Sequence, residues 1–211
     1  MKIFQIGFNK CGTNSIKKIL QNTDKNLNVI HWDRGLLAKK IYDNIQNRES
    51  LLFGYENYDV FCDMECFFLK DNKIKYFPAF ILFEEIDKQY PNSKFILNTR
   101  NKENWIKSRI QHIVTVSPIQ GNDYKILEQH QLCFYWEKMA EVNGVSKEQL
   151  IKMWEVEWHQ HHYNVKEYFK NRPDDLLIFD IEKDEFSKFK YFFENCDVKI
   201  NLNNMPKENK T

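Results

Sequence analysis

Glycine and proline are scarce in this sequence, at six and five residues of 211. Flexible linkers and low-complexity tracts are built largely from those residues, so no stretch divides the chain, and one domain over residues 1–211 is predicted. Cysteine is also sparse and badly arranged for bridging. The five present (Cys11, Cys62, Cys66, Cys133, Cys196) are odd in number and contain no C-x-x-C pair, which argues against a disulfide framework or a structural metal and fits free thiols in the cytoplasm. Long hydrophobic runs are missing as well. None approaches a membrane span, and the opening "MKIFQIGF" turns polar too soon for a signal peptide. Charge of one sign is lacking, with 31 Lys and Arg against 30 Asp and Glu. A near-neutral chain of this kind carries no broad footprint for nucleic acid or an anionic membrane, so any anion must be caught in a pocket. What the chain does have is 42% hydrophobic and 15% aromatic residues, enough for a sizeable core.

Strand and helix signals alternate along the first half. "KIFQIG" reads as a buried strand, and "SIKKILQ" places Ile16, Ile19 and Leu20 on one helical face. "LNVIHW" reads as a short strand, "GLLAKKIYDNI" as a helix through Leu37, Ile41 and Ile45, and "YDVFCDM" as another strand. Helix "AFILFEEIDKQY" stops at Pro91 before the strand "SKFILNTR". This order predicts an α/β fold, a parallel sheet flanked by helices on both faces. From "NKENWIKSRIQ" through "KILEQHQLCFYWEKM" to "SKEQLIKMWEVEWHQHHYNVKEYFK" the pattern is almost wholly helical and predicts a cap over one end of the sheet. "DDLLIFDI" returns to strand and "EFSKFKYFFE" closes as helix.

Between the first strand and the first helix lies "IGFNKCGTNS". A loop in that position aims backbone N–H groups at one spot, backed by the helix dipole, and so holds an anion. Gly7 and Gly12 keep the spacing of the nucleotide loop GxxxxGK[ST], but Thr13 stands where its lysine belongs and Asn14 where its magnesium-binding hydroxyl belongs. Lys10 brings the positive charge from inside the loop instead. A second motif is "FILNTRNKENWIKSR", which puts Arg100 at the end of a strand and Ser108 in the following helix. An arginine fork is shaped for phosphate, and strand ends of open parallel sheets face ligands. A strand-end arginine also serves as half of an ordinary ion pair.

In this order and on these elements, the two motifs resemble those of the sulfotransferases that use 3′-phosphoadenosine 5′-phosphosulfate, especially the prokaryotic and virus-borne carbohydrate-type branches. The likeness continues through "VIHWDRGLLAKKI", "YDVFCDM", "KQYPNSKFILNTR", "VKEYFKNRPDDLLIFDI" and "MPKEN". It implies a P-loop-like parallel sheet in which Lys10 contacts the bridging oxygen of the donor, with Cys11, Gly12, Thr13, Asn14 and Ser15 lining the loop. Arg100 and Ser108 then bind the 3′-phosphate. It also implies a hydroxyl acceptor, carbohydrate or glycoconjugate, and a reaction needing no metal. Asn14 replaces the second threonine of the family loop, and Ser15 the tryptophan that stacks on adenine in the steroid and phenol enzymes.

The family draws its base from a histidine or a carboxylate. Asp63 ends the strand "YDVFCD" and is the first candidate, followed by Glu65 and by His31 after "LNVI". In "WHQHHYN", Glu157, His159, His161 and His162 offer spacings two metal ligands could share, but His161 falls on the stripe Trp154, Trp158, Val165, Tyr168 and reads as a packed side chain. Phe134, Tyr135 and Trp136 read as core. Two other readings stay open for the same fold: a small-molecule kinase, which needs magnesium and the missing lysine, and a nucleotide-binding module without a base.

Overall fold

The computed structural model describes residues 1–71, 73–116 and 131–206. In chain order the elements are β1 (Ile3–Gln5), α1 (Thr13–Gln21), β2 (Val29–His31), α2 (Leu36–Asn47), β3 (Val60–Cys62), β4 (Glu65–Lys70), β5 (Lys73–Pro78), α3 (Phe83–Gln89), β6 (Lys94–Thr99) and α4 (Lys102–Ile110). There follow β7 (Ile113–Val116), β8 (Gln131–Phe134), α5 (Tyr135–Asn143), α6 (Lys147–Phe169), β9 (Leu176–Asp180) and α7 (Phe186–Glu194).

Five strands form one sheet in the order β2-β3-β1-β6-β9, and every neighbouring pair is parallel. Strands buried on both faces draw mainly apolar residues at successive positions, so the alternating polar pattern of an exposed sheet is absent here, with the buried Gln5 and Asn98 as exceptions. Ile3, Val60, Ile96 and Leu177 face one side and pack with Ile16 and Ile19 of α1 and Phe189 and Phe193 of α7. Phe4, Phe61, Phe95 and Leu97 face the other side, against α2, α3 and α6. There Phe4 stacks between Phe61 and Phe95, at 5.1 and 5.6 Å between ring centroids. The expected parallel sheet with helices on both faces is therefore present.

Three local expectations are corrected. Ile45 is 38% exposed, and Asn44 takes the buried place on α2. One helical step from Ile41's face, its amide donates to the carbonyls of Leu51 and Phe53 at 2.9 and 3.0 Å and closes the turn after the helix. The second correction concerns the stretch read as helix around "QLCF": β7 and β8 pair antiparallel, with Ile113 opposite Phe134. Helix resumes only at Tyr135, and the part of that expected helix before Gln131 lies outside the described residues. Phe134 is also 41% exposed, whereas Tyr135 is buried. Third, β4 and β5 form an antiparallel hairpin that the strand and helix pattern did not predict. The cap is thus mixed: α4, α5 and the hairpins accompany α6, whose far end, through Phe169 on Phe95, also covers the sheet.

Because the five strands run parallel, their C-terminal ends share one edge. Across that edge the residues that follow them come in the order His31, Asp63, the Lys10 loop, Arg100 and Glu182.

Candidate active site

The loop from Ile6 to Gly12 is shaped by close approach. A Cβ at Gly7 would collide with the backbone carbonyl and side-chain amide of Asn98 on β6, so no larger residue fits. That amide in turn donates to the carbonyls of Phe8 and Cys11 at 3.3 and 2.9 Å. Gly12 has φ +81°, and Ile181 lies 3.1 Å from where its Cβ would stand. Lys10 and Asp63 also hold left-handed backbone, with φ of 62° and 56°. Such geometry costs a non-glycine residue about 1–2 kcal/mol and persists only where the surroundings impose it. Helix α1 begins at Gly12 with no side-chain cap. The first-turn N–H groups of Thr13, Asn14 and Ser15 therefore lack an intrahelical or capping partner and offer an anion site.

Four of the residues named from the sequence come together beside this loop. The Thr13 hydroxyl lies 3.2 Å from Nε2 of His31 and favours the charged form of the neighbouring Asp63. His31 Nε2 is 3.6 Å from Asp63 Oδ2. Burial, and then the charge of Glu65, raise the Asp63 pKa to about 7, while Lys10 and Thr13 pull the other way. Lys10 is pushed down by burial, opposed by Asp63 and assisted by Arg100. His31 is lowered to about 4 by burial and by Lys17, so its ring is neutral at pH 7. A base is most effective when its pKa lies near the working pH, and among these three groups Asp63 meets that condition.

Glu65 is placed differently. Its carboxylate is buried and accepts hydrogen bonds from Asn9 Nδ2, Tyr76 at 2.8 Å and Tyr135 at 3.2 Å. Arg109, 1% exposed, completes the group, donating to Asn9 Oδ1 at 3.0 Å and to Tyr135 at 2.7 Å. The Trp105 indole holds the Asn9 carbonyl at 3.1 Å. This network fastens the residue before Lys10 to α4, β4, β5 and α5. Glu65, with both oxygens engaged, suits a positioning role more than proton abstraction.

On the other side of the loop, Arg100 does two things. Its Nη1 donates to the Lys10 carbonyl at 3.1 Å, and its Nε and Nη2 donate to Glu182 Oε1 at 3.0 and 2.5 Å. Glu182 also accepts from the Asn101 backbone at 3.0 Å and from Asn104 Nδ2 at 3.2 Å. Ser108, half-buried, lies one helical turn beyond Asn104 on the same face of α4. Cys11 turns its side chain into the core, and Ser15 is 5% exposed, so their backbones are what the crevice meets.

The histidines of "WHQHHYN" are occupied. His161 Nε2 lies 2.7 Å from the Ile6 carbonyl, and His162 bridges the Trp158 carbonyl at 2.7 Å and the Thr99 hydroxyl at 2.9 Å. Among the described residues no group of three or more His, Cys, Asp and Glu gathers as a metal-ligand set, and no helix is long and apolar enough to cross a membrane. Sequence reasoning missed Asn9, Arg109, Tyr135 and Glu182. Only Glu182 carried a usable signal, as a carboxylate just past a parallel strand, the same rule that singled out Asp63.

Comparison with curated proteins finds no match. The family model Sulfotransfer_4, described as a sulfotransferase domain, matches residues 2–211. With that match running over almost the whole chain, the chain belongs to the sulfotransferase family.

Proposed function

We propose that this chain transfers the sulfuryl group of 3′-phosphoadenosine 5′-phosphosulfate to a hydroxyl of a carbohydrate or glycoconjugate, in the cytoplasm. The observation that carries the reading is the gathering of Lys10, Asp63 and Arg100 around an uncapped helix N-terminus at one sheet edge. The 5′-phosphosulfate lies on the first turn of α1 and Lys10, and the 3′-phosphate lies toward Arg100 and Ser108. The acceptor hydroxyl approaches from the His31 and Asp63 side. Its oxygen bonds to sulfur as the bond from sulfur to the bridging oxygen breaks, Asp63 takes the proton, and Lys10 neutralises the charge left on the departing phosphate. His31 and Thr13 hold the Asp63 carboxylate in place.

The donor half is testable before the acceptor is known. In buffer containing a chelator, 3′-phosphoadenosine 5′-phosphate at a hundred times its dissociation constant should add about 2.7 kcal/mol to stability, read as a rise in Tm, with ADP at the same concentration giving less. Equal stabilisation by magnesium–ATP would favour a kinase instead.

A further inference from the structure

We propose that Glu182 is an internal competitor for the 3′-phosphate, occupying the Arg100 fork when no nucleotide is there and returning to it as the product leaves. The inference rests on the donor reading above, since it takes Arg100 as the phosphate's partner. Its own basis is the way this one carboxylate is held. It takes both donors on one edge of the Arg100 guanidinium, the Asn101 N–H at the start of α4 and the Asn104 amide. A fork, a helix-start N–H and a side-chain amide converging on a single anion form the cradle that a phosphate takes.

The backbone that carries Glu182 is fixed independently of this contact. Ile181 N donates to the Thr99 carbonyl at 2.9 Å, Glu182 N to Asp180 Oδ1 at 2.9 Å, and the Ile181 side chain packs over Gly12. Rotation of one side chain is therefore enough to clear the fork. Arg100 and Glu182 keep 22% and 26% of their side-chain surface exposed, so the exchange takes place at the solvent boundary and not in the core. A phosphate brings more charge and more acceptor oxygens than a carboxylate and displaces it. When the nucleotide departs, Glu182 pairs the guanidinium again, which lowers the affinity for product and speeds its release. The remaining fork donor, Nη1, stays on the Lys10 carbonyl and keeps Arg100 in position throughout.

The test is calorimetric titration of the full chain, Glu182→Gln and Arg100→Ala with 3′-phosphoadenosine 5′-phosphate and with AMP, which lacks the 3′-phosphate. Glutamine keeps an acceptor for Asn101 and Arg100 and removes only the charge. Glu182→Gln should bind 3′-phosphoadenosine 5′-phosphate about tenfold more tightly, with slower dissociation, and AMP within twofold of the parent, the scale expected for relieving one like-charge contact at a partly exposed site. If Glu182→Gln binds it no more tightly while Arg100→Ala weakens it, the competitor role is overturned and the Arg100 assignment survives. If Arg100→Ala leaves that affinity unchanged, the donor reading itself fails and this proposal with it. Should Glu182→Gln not fold, Glu182→Asp, which withdraws the carboxylate by one methylene, decides: a smaller tightening supports competition, and none overturns it.

Discussion

Replacing Asp63 with asparagine should lower turnover by about a hundredfold or more, the usual scale for losing a general base, while leaving donor affinity intact. The side chain keeps its size and its contact with Thr13 and loses only its ability to accept a proton. The pH profile gives a second readout. With its pKa raised to about 7 by burial and by Glu65, Asp63 is increasingly protonated as pH falls through 7. Turnover should therefore decline on the acid side and level off above it. In Asp63→Asn that acid limb should vanish from whatever activity remains. Two controls separate the candidates. His31→Gln should be milder, because a ring with its pKa lowered to about 4 holds a proton too weakly for an effective base and touches the site through Thr13 and Asp63. Glu65→Gln should act chiefly on stability, since it removes the buried negative charge that faces Arg109 through Asn9 and Tyr135. Near-normal turnover in Asp63→Asn, with either control folded but inactive, would transfer the role to that residue.

The second large effect belongs to Lys10. Charge on the bridging oxygen grows as the sulfuryl group leaves, so a cation beside it contributes more in the transition state than in the bound donor. Lys10→Ala should lower turnover by about a hundred- to a thousandfold, with a smaller loss of donor affinity. The structure adds a reason for the strict position. Lys10 sits in left-handed backbone, braced before it by Asn9 in the grip of Glu65 and Arg109 and on its own carbonyl by Arg100. A lysine moved along the loop would lose that bracing. Single-turnover rates at saturating donor measure the effect, and an unchanged rate would remove Lys10 from the chemistry.

Much of the frame was legible in the sequence because the strands are short, apolar and separated by strong helices. Once β1, β3 and β6 were read as parallel, strand-end residues such as Asp63 and Arg100 had to share an edge. Legibility failed where local pattern and tertiary demand part. "QLCF" is too short an apolar run to separate strand from helix by periodicity, and its pairing partner, Ile113–Val116, lies far off in sequence. "KIKYFP" does alternate, yet it is short and runs directly into the helix that begins at Ala79, and it was assigned to no element. Asn44 displaced Ile45 from the core because its amide closes a turn, a contact that hydrophobicity does not encode. The grip on Asn9 joins residues 56 and 100 positions away, so no local spacing announces it. Arg100 was readable both as a phosphate ligand and as half of an ion pair. It is paired with Glu182 here, and the competitor proposal follows from taking that pairing together with the phosphate role.

The most direct measurement of the central claim is a crystal structure of the full chain with 3′-phosphoadenosine 5′-phosphate. The account predicts the 5′-phosphate within hydrogen-bonding distance of the Thr13, Asn14 and Ser15 N–H groups and of Lys10, with the 3′-phosphate on Arg100 and Ser108 and Asp63 facing the open side of the 5′-phosphate. A nucleotide bound away from this edge, or held with its 3′-phosphate in solvent and the Arg100–Glu182 pair undisturbed, would contradict it.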